Sequence, residues 1–392
     1  MRDPSYLLGF CASLVTLGVL LVAKPLKKRS QAVLQTNSPE TSAAESSPSA
    51  APVLQEPPES QDTEPNDNDD SSESKFSFTF NAFGDSGWAR THTVKPVYEQ
   101  GFKKSYYRFD PKQKLLADLN YLNWETSIGN HCKEFWSLPT PNAFAFLTLP
   151  EELSDAVSLG FNIIGLANNH SHDCTRTKEG DGIVESAKHA RTIKFAAKAQ
   201  NKSILMNGIS ENLNHEPAAA DMTFAEGRVP VKLLSAYVGG KNSRCDKISC
   251  DINLNKHAES MSGHKGLRIL ALHSWDEASH LKLKSIMRQW IANDWADVAL
   301  GTGPHVAETV ELVSTPKGTG VIATSLGNFI HPSLKPQKNN IVLRTKWQFD
   351  PDDDSLVLQW LKTTEISCAF ENCRRIKTRK HDLPPDIEAA AL

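Results

Sequence analysis

The sequence has no CxxC pair, no GxSxG elbow, no HExxH motif and no glycine-rich loop closing on Lys-Ser or Lys-Thr. In turn, these absences exclude a zinc ribbon or thioredoxin-like dithiol, a serine nucleophile on a strand–helix elbow, a zincin helix and a P-loop. Gly301-Thr302-Gly303 is a lone GxG and makes no nucleotide fingerprint. A basic excess is also missing. The formal charge is −3, which argues against nucleic acid as a partner, since nucleic-acid binders carry a strongly basic face. There is no internal repeat. Apolar residues make up only 39% and the mean hydropathy is −0.40, so part of the 392-residue chain is expected to lie outside any packed core.

The small net charge conceals an asymmetry. Residues 1–30 carry Arg2, Lys24, Lys27, Lys28 and Arg29 against Asp3, whereas residues 31–75 carry ten acids against Lys75 alone. What remains is close to neutral. Residues 6–23 form an apolar run of about the minimum length that spans a bilayer. No small-x-small cleavage site follows, so residues 1–30 are expected to be an uncleaved membrane anchor with a basic flank. Residues 31–75, rich in Ser, Pro, Glu and Asp, bury too little apolar surface to offset their ordering entropy and are expected to be a disordered acidic linker. Residues 76–385 are then the folded domain. The basic flank follows the apolar run, and that bias favours a cytoplasmic domain. The cysteines argue the other way. Apart from Cys11 there are six, Cys132, Cys174, Cys245, Cys250, Cys368 and Cys373, an even number that suits disulfides in an oxidising compartment.

From Phe76 onward, strand-like and helix-like stretches alternate. Strands are expected over residues 75–83, 115–124, 161–167, 229–238, 266–272, 297–300, 320–325, 340–349 and 355–364, the last two as a hairpin. Helices are expected over 151–159, 182–192 and 280–293. This mixture points to an α/β domain with layered sheet. Its strands deliver polar residues at their ends: Asp85, Glu125, Asn169-His170, His273 and His305. The stretch FNIIGLANNHSHD, residues 161–173, is the clearest case: an apolar run that stops at two asparagines, two histidines and Asp173. His131, His215, His257 and His381 sit in polar surroundings and read as solvated.

Strand ends in α/β sheets converge on one edge, so these residues can meet in space. Carboxylate, imidazole and amide oxygen together suit a divalent ion such as Mn, Fe or Zn. A carboxylate bridging two such ions would hold and activate a water, and a histidine left over could protonate the leaving group. Taken singly, each residue also fits a turn or a surface position; their recurrence at five strand ends carries the site.

The ordered series Gly84-Asp85, Asn123-Trp124-Glu125, Ala167-Asn168-Asn169-His170 with Asp173, residues 273–277 (HSWDE), Gly303-Pro304-His305-Val306 and residues 325–329 (SLGNF) resembles the CapA family of poly-γ-glutamate capsule synthesis proteins. The resemblance implies a four-layer αββα sandwich of the calcineurin-like metallophosphatase type. It implies Asp85, Glu125, Asn169, His273 and His305 as ligands of one or two divalent ions, with Glu125 bridging. His170 is implied as the acid, with Asp173 orienting its loop. It further implies a membrane-anchored domain outside the cytoplasm, in the periplasm or at the cell surface, with an anionic polymer or phosphoester as substrate and other capsule-assembly membrane proteins as partners. A general metal-dependent phosphoesterase and a non-catalytic polymer-binding scaffold fit the same residues. Two positions depart from the family pattern. Trp124 replaces a leucine, and Gly303 stands where a histidine is usual, which removes one imidazole from the expected ligand set.

Overall fold

The computed structural model describes residues 75–384 except 88–89, 92–100, 138–144, 213–218, 226, 240–243, 332–336 and 370–371. The expected anchor and the linker up to residue 74 lie outside the described residues, as does His215. Among the described residues, no helix is long and apolar enough to cross a membrane.

Two mixed sheets carry the architecture. The first has seven strands in the spatial order Asn372–His381, Ser355–Ala369, Gln337–Asp350, Phe76–Ser86, Leu119–Trp124, Ile163–Gly165 and Leu205–Asn207. Its last four strands run parallel, and Phe76–Ser86 pairs antiparallel with Gln337–Asp350. The second has six, in the order Ala220–Phe224, Val229–Val238, Leu267–Ser274, Val298–Thr302, Gly318–Ala323 and Val310–Thr315. Four of these are parallel, flanked by one antiparallel strand on each side.

The period-2 alternation of strand side chains explains the layering. Phe78, Phe80 and Ala82 face one way and pack with Leu119 and Tyr121 against Val231, Leu233, Ile269, Ala271 and Leu300 of the other sheet, closing a core between the sheets. Phe83, Leu122 and Ile164 face the opposite way, onto the helices Gly101–Phe109, Pro150–Leu159 and Gly182–Ala199. On the outer face of the second sheet, Leu234, Leu270, Leu272 and Ile322 pack against Leu283, Met287 and Trp290 of the helix Glu277–Ala292. Each such fully buried large side chain contributes about 1.5–3 kcal/mol. The result is the four-layer αββα arrangement.

The helices have sequence-encoded ends. Asp181 caps Gly182–Ala199 by accepting from the backbone N–H of Ile183 and Val184, and Asp276 forms a capping box with Ser279. Gly160 ends Pro150–Leu159 at φ 115°. The helix expected to stop at 192 continues to Ala199. His273 lies within its strand, which runs to Ser274, rather than beyond the strand's end. All six domain cysteines are paired, as Cys132–Cys174, Cys245–Cys250 and Cys368–Cys373.

Candidate metal centre

The parallel strands of both sheets bring their carboxyl ends to one place. Asp85 ends the Phe76–Ser86 strand, and Glu125 follows Leu119–Trp124. Both carboxylates are fully buried. At Gly84 a Cβ would come within 1.9 Å of the Gly327 carbonyl oxygen, so only glycine allows this approach. It lets the Asp85 N–H donate to Gly327 O at 2.9 Å while the Phe329 N–H donates to Asp85 O at 2.7 Å. Two of the sequence elements that carried the family resemblance, Gly84-Asp85 and residues 325–329, are thus direct neighbours.

Around the carboxylates stand three imidazoles. His273 Nδ1 is 3.5 Å from Asp85 Oδ1, and its Nε2 is 3.4 Å from Glu125 Oε1. His305 Nδ1 is 3.3 Å from Asp85 Oδ2 and 3.9 Å from Glu125 Oε2. The third is His331, whose Nε2 is 2.8 Å from Glu125 Oε2. Neighbours fix the ring and carboxylate positions. Asn123 Nδ2 donates to Asp85 Oδ1 at 2.8 Å, Thr302 Oγ1 is 2.9 Å from His273 Nδ1, and Asn328 Oδ1 is 2.8 Å from His305 Nδ1. Burial would raise the Asp85 carboxyl, but hydrogen bonds and charge from His273 and His305 outweigh it and hold the group well below its ordinary range. Glu125 is likewise lowered: burial and the Asp85 charge oppose ionisation, and His331, His305 and His273 overcome them. His305 is pushed up to about 10, burial being outweighed by the two carboxylates.

The turn Asn169–His172 adds the remaining residues. Asn168 makes this turn: its side chain accepts from the His170 N–H at 3.1 Å and donates to Trp124 O at 2.8 Å. The neighbouring Asn169 is left with its Oδ1 buried and without a hydrogen-bond partner. His170 Nδ1 lies 2.6 Å from Asp173 Oδ2, and its Nε2 is 3.9 Å from Glu125 Oε1. Asp173 also accepts from the Phe146 N–H at 2.6 Å, so its carboxylate is held in place. Burial lowers the His170 pKa, but the Asp173 charge and hydrogen bond more than reverse that and raise it. His172 is buried with its ring edge-on to Trp136 at 5.1 Å.

The donors fit a divalent cation. Both Glu125 oxygens, Asn169 Oδ1 and both His331 nitrogens are buried with no hydrogen-bond partner. Each such orphan costs about 1–3 kcal/mol unless something satisfies it, and positive charge beside Glu125 would satisfy its two oxygens. Two sets place one ligand atom per residue within 4.8 Å of one another: Asp85, Glu125 and His273, and Glu125, His305 and His331. Glu125 belongs to both.

Sequence reasoning missed His331. It stands two residues beyond the SLGNF run, and its placement beside Glu125 depends on the turn through Gly327 at φ 75°. The only local sign was a histidine closing a short apolar step, Phe329-Ile330. His257, expected to be solvated, is buried in the turn segment Asp251–His257. Trp124 is fully buried against Phe102, ring centroids 5.5 Å apart, and packs the first sheet onto the helix Gly101–Phe109.

The family model described as bacterial capsule synthesis protein PGA_cap matches residues 81–333. No curated protein matches the chain. Among solved structures it is similar to a novel phosphatase from Mycoplasma pneumoniae, at 14% identity and a TM-score of 0.39, covering 79% of this chain and 94% of that one. It is also similar to a hypothetical protein from Thermus thermophilus, at 11% identity and a TM-score of 0.37, covering 77% of this chain and 98% of that one.

Proposed function

The chain belongs to the bacterial capsule synthesis protein family, and from that premise we propose that its domain is a metal-dependent hydrolase-type enzyme acting in the synthesis, export or attachment of an anionic capsule polymer, poly-γ-glutamate. The observation that carries the reading is the convergence of the buried Asp85, Glu125 and His273 with the half-exposed His305 at the carboxyl ends of four parallel strands of two sheets, next to the turn whose Asn169 Oδ1 is buried and unpartnered. In this reading Asp85, Glu125, Asn169, His273 and His305 would hold one or two divalent ions, with Glu125 common to both positions. When bound, the ion supplies charge neutralisation at the reacting centre and acidifies a water.

The chain's own groups do the rest. Asp173 holds His170 by Nδ1 and favours its protonated form, which leaves Nε2 as the proton donor to a leaving group. The exposed edge strand Asn372–His381 carries five cations; Arg375 pairs with Asp110, and Lys377 and Arg379 pair with Glu365, so Arg374 and Lys380 are the ones offered to a polyanion. We place the domain outside the cytoplasm, held by the N-terminal apolar segment. Three disulfides support an oxidising compartment.

The test is turnover by the purified full chain, with divalent metal added or chelated, on poly-γ-glutamate and on a simple aryl phosphoester. Metal-dependent cleavage of the polymer that His170→Ala lowers by about 10²-fold or more is the expected result. Cleavage of the phosphoester alone would favour a general phosphoesterase, and binding of polymer without turnover of either would favour a scaffold.

A further inference from the structure

His331 has no part in the ligand set proposed above, yet it is the imidazole nearest to Glu125. It is 3% exposed, and neither ring nitrogen has a hydrogen-bond partner. A buried imidazole with both nitrogens orphaned is costly, because its N–H and its lone pair have each lost water. Packing fixes its orientation. The ring stacks on His305 with centroids 5.1 Å apart and planes at 30°, and Phe146 meets it edge-on at 5.7 Å. That packing directs Nε2 to within 2.8 Å of Glu125 Oε2. Two donor atoms this close can serve one ion as adjacent ligands.

Position 303 explains why this imidazole is needed from elsewhere. Gly303 has φ 115°, and a Cβ there would lie 2.0 Å from the Ser274 carbonyl oxygen. Its N–H donates to Asp85 Oδ2 at 3.1 Å. No side chain fits at 303 without moving backbone, so the loop that carries His305 supplies one imidazole and no more. The segment following Gly318–Ala323 brings His331 to the same carboxylate, stacked on His305.

We propose that His331 is a metal ligand, which with Glu125 and His305 forms a second divalent-cation position sharing the Glu125 carboxylate with the position formed by Asp85 and His273. The proposal rests on the metal-binding reading above and adds to it the residue that completes the second position. Imidazole and carboxylate donors of this kind suit Mn, Fe or Zn.

The test is metal stoichiometry and metal spectroscopy on the full chain in detergent, stripped with chelator and titrated with Mn²⁺. The wild type should take up two ions per chain and give the electron paramagnetic resonance signal of a spin-coupled manganese pair. His331→Phe keeps an aromatic ring in the slot against His305 and Phe146. It should bind one ion, lose the coupled signal and weaken the second binding step by at least tenfold. His331→Gln, which retains polarity at the site, gives the same readout if the phenylalanine variant does not fold. Two ions and a coupled signal in either folded variant would overturn the proposal, as would a single ion in wild type and variant alike, and both outcomes leave the Asp85–Glu125–His273 position standing. No ion bound by the wild type would overturn the metal reading itself, and this proposal with it.

Discussion

Asp173 and His170 are joined at 2.6 Å, carboxylate Oδ2 to imidazole Nδ1, by a residue whose own carboxylate is pinned by the backbone N–H of Phe146. The pair lies on the rim of the buried cluster, with the other His170 nitrogen 3.9 Å from Glu125. This contact fixes which nitrogen is free to give up a proton. It also raises the pKa of the ring, against the effect of burial.

That relationship sets a pH dependence. An acid must be protonated to act, so activity is lost as pH rises through the His170 pKa, and a raised pKa extends activity towards alkaline pH. Asp173→Asn keeps an acceptor for the Phe146 N–H but removes the negative charge. Its alkaline limb should therefore move to lower pH than in the wild type. A pH–rate profile of kcat for both proteins checks this, and an unmoved limb would remove Asp173 from the role of positioning His170.

The disulfide Cys132–Cys174 begins one residue after Asp173 and closes a separation of 42 residues. In the chain-entropy description, a closure of that length stabilises by about 4 kcal/mol, against about 2 kcal/mol for each of the five-residue closures Cys245–Cys250 and Cys368–Cys373. Cys132→Ser with Cys174→Ser should lower the thermal midpoint more than removing either short bridge. It should also reduce activity, because the Trp136 N–H bonds to Asp173 O at 2.7 Å within the region that this bridge closes. Calorimetry of the three double variants ranks them.

Gly303 makes a separate prediction. Alanine there meets both a positive φ and the Ser274 oxygen at 2.0 Å, so Gly303→Ala should destabilise by roughly 1–3 kcal/mol or more. Gly303→His should be at least as damaging, even though it would add an imidazole to the loop. Denaturant unfolding of the two variants reads this directly. Wild-type stability in Gly303→His would mean that the loop has room for a side chain after all.

Most of the parallel strands were legible because they are apolar runs or apolar–polar alternations bounded by turn residues; Leu205–Asn207, three residues long, was not. Asp85, Glu125, His273 and His305 were singled out because they end or interrupt such runs, and the sheet edges bring these four within reach of one another. The same logic failed where a residue reaches the site by a turn. His331 lies beyond the end of the strand Gly318–Ala323, and no periodicity points to it. The strand Asn372–His381 was also hidden, since NCRRIKTRKH has almost no apolar alternation. As an edge strand it exposes nearly all of its side chains and is held by backbone pairing to Ser355–Ala369 and by the Cys368–Cys373 bridge. The helix Gly101–Phe109 went unread because its apolar contacts are aromatic rings spaced among lysines; Phe102, Tyr106 and Phe109 fill the core at i, i+4 and i+7.

Divalent metal accounts for a fully buried Glu125 whose two oxygens have no hydrogen-bond partner. The most direct measurement is the metal content of the purified full chain, wild type against Glu125→Gln, by inductively coupled plasma mass spectrometry after equilibration with Mn²⁺ and removal of free ion. The wild type should hold at least one ion tightly per chain, and a folded Glu125→Gln variant should lose most of that metal. Equal metal content in the two proteins, whether substantial or negligible, would contradict this.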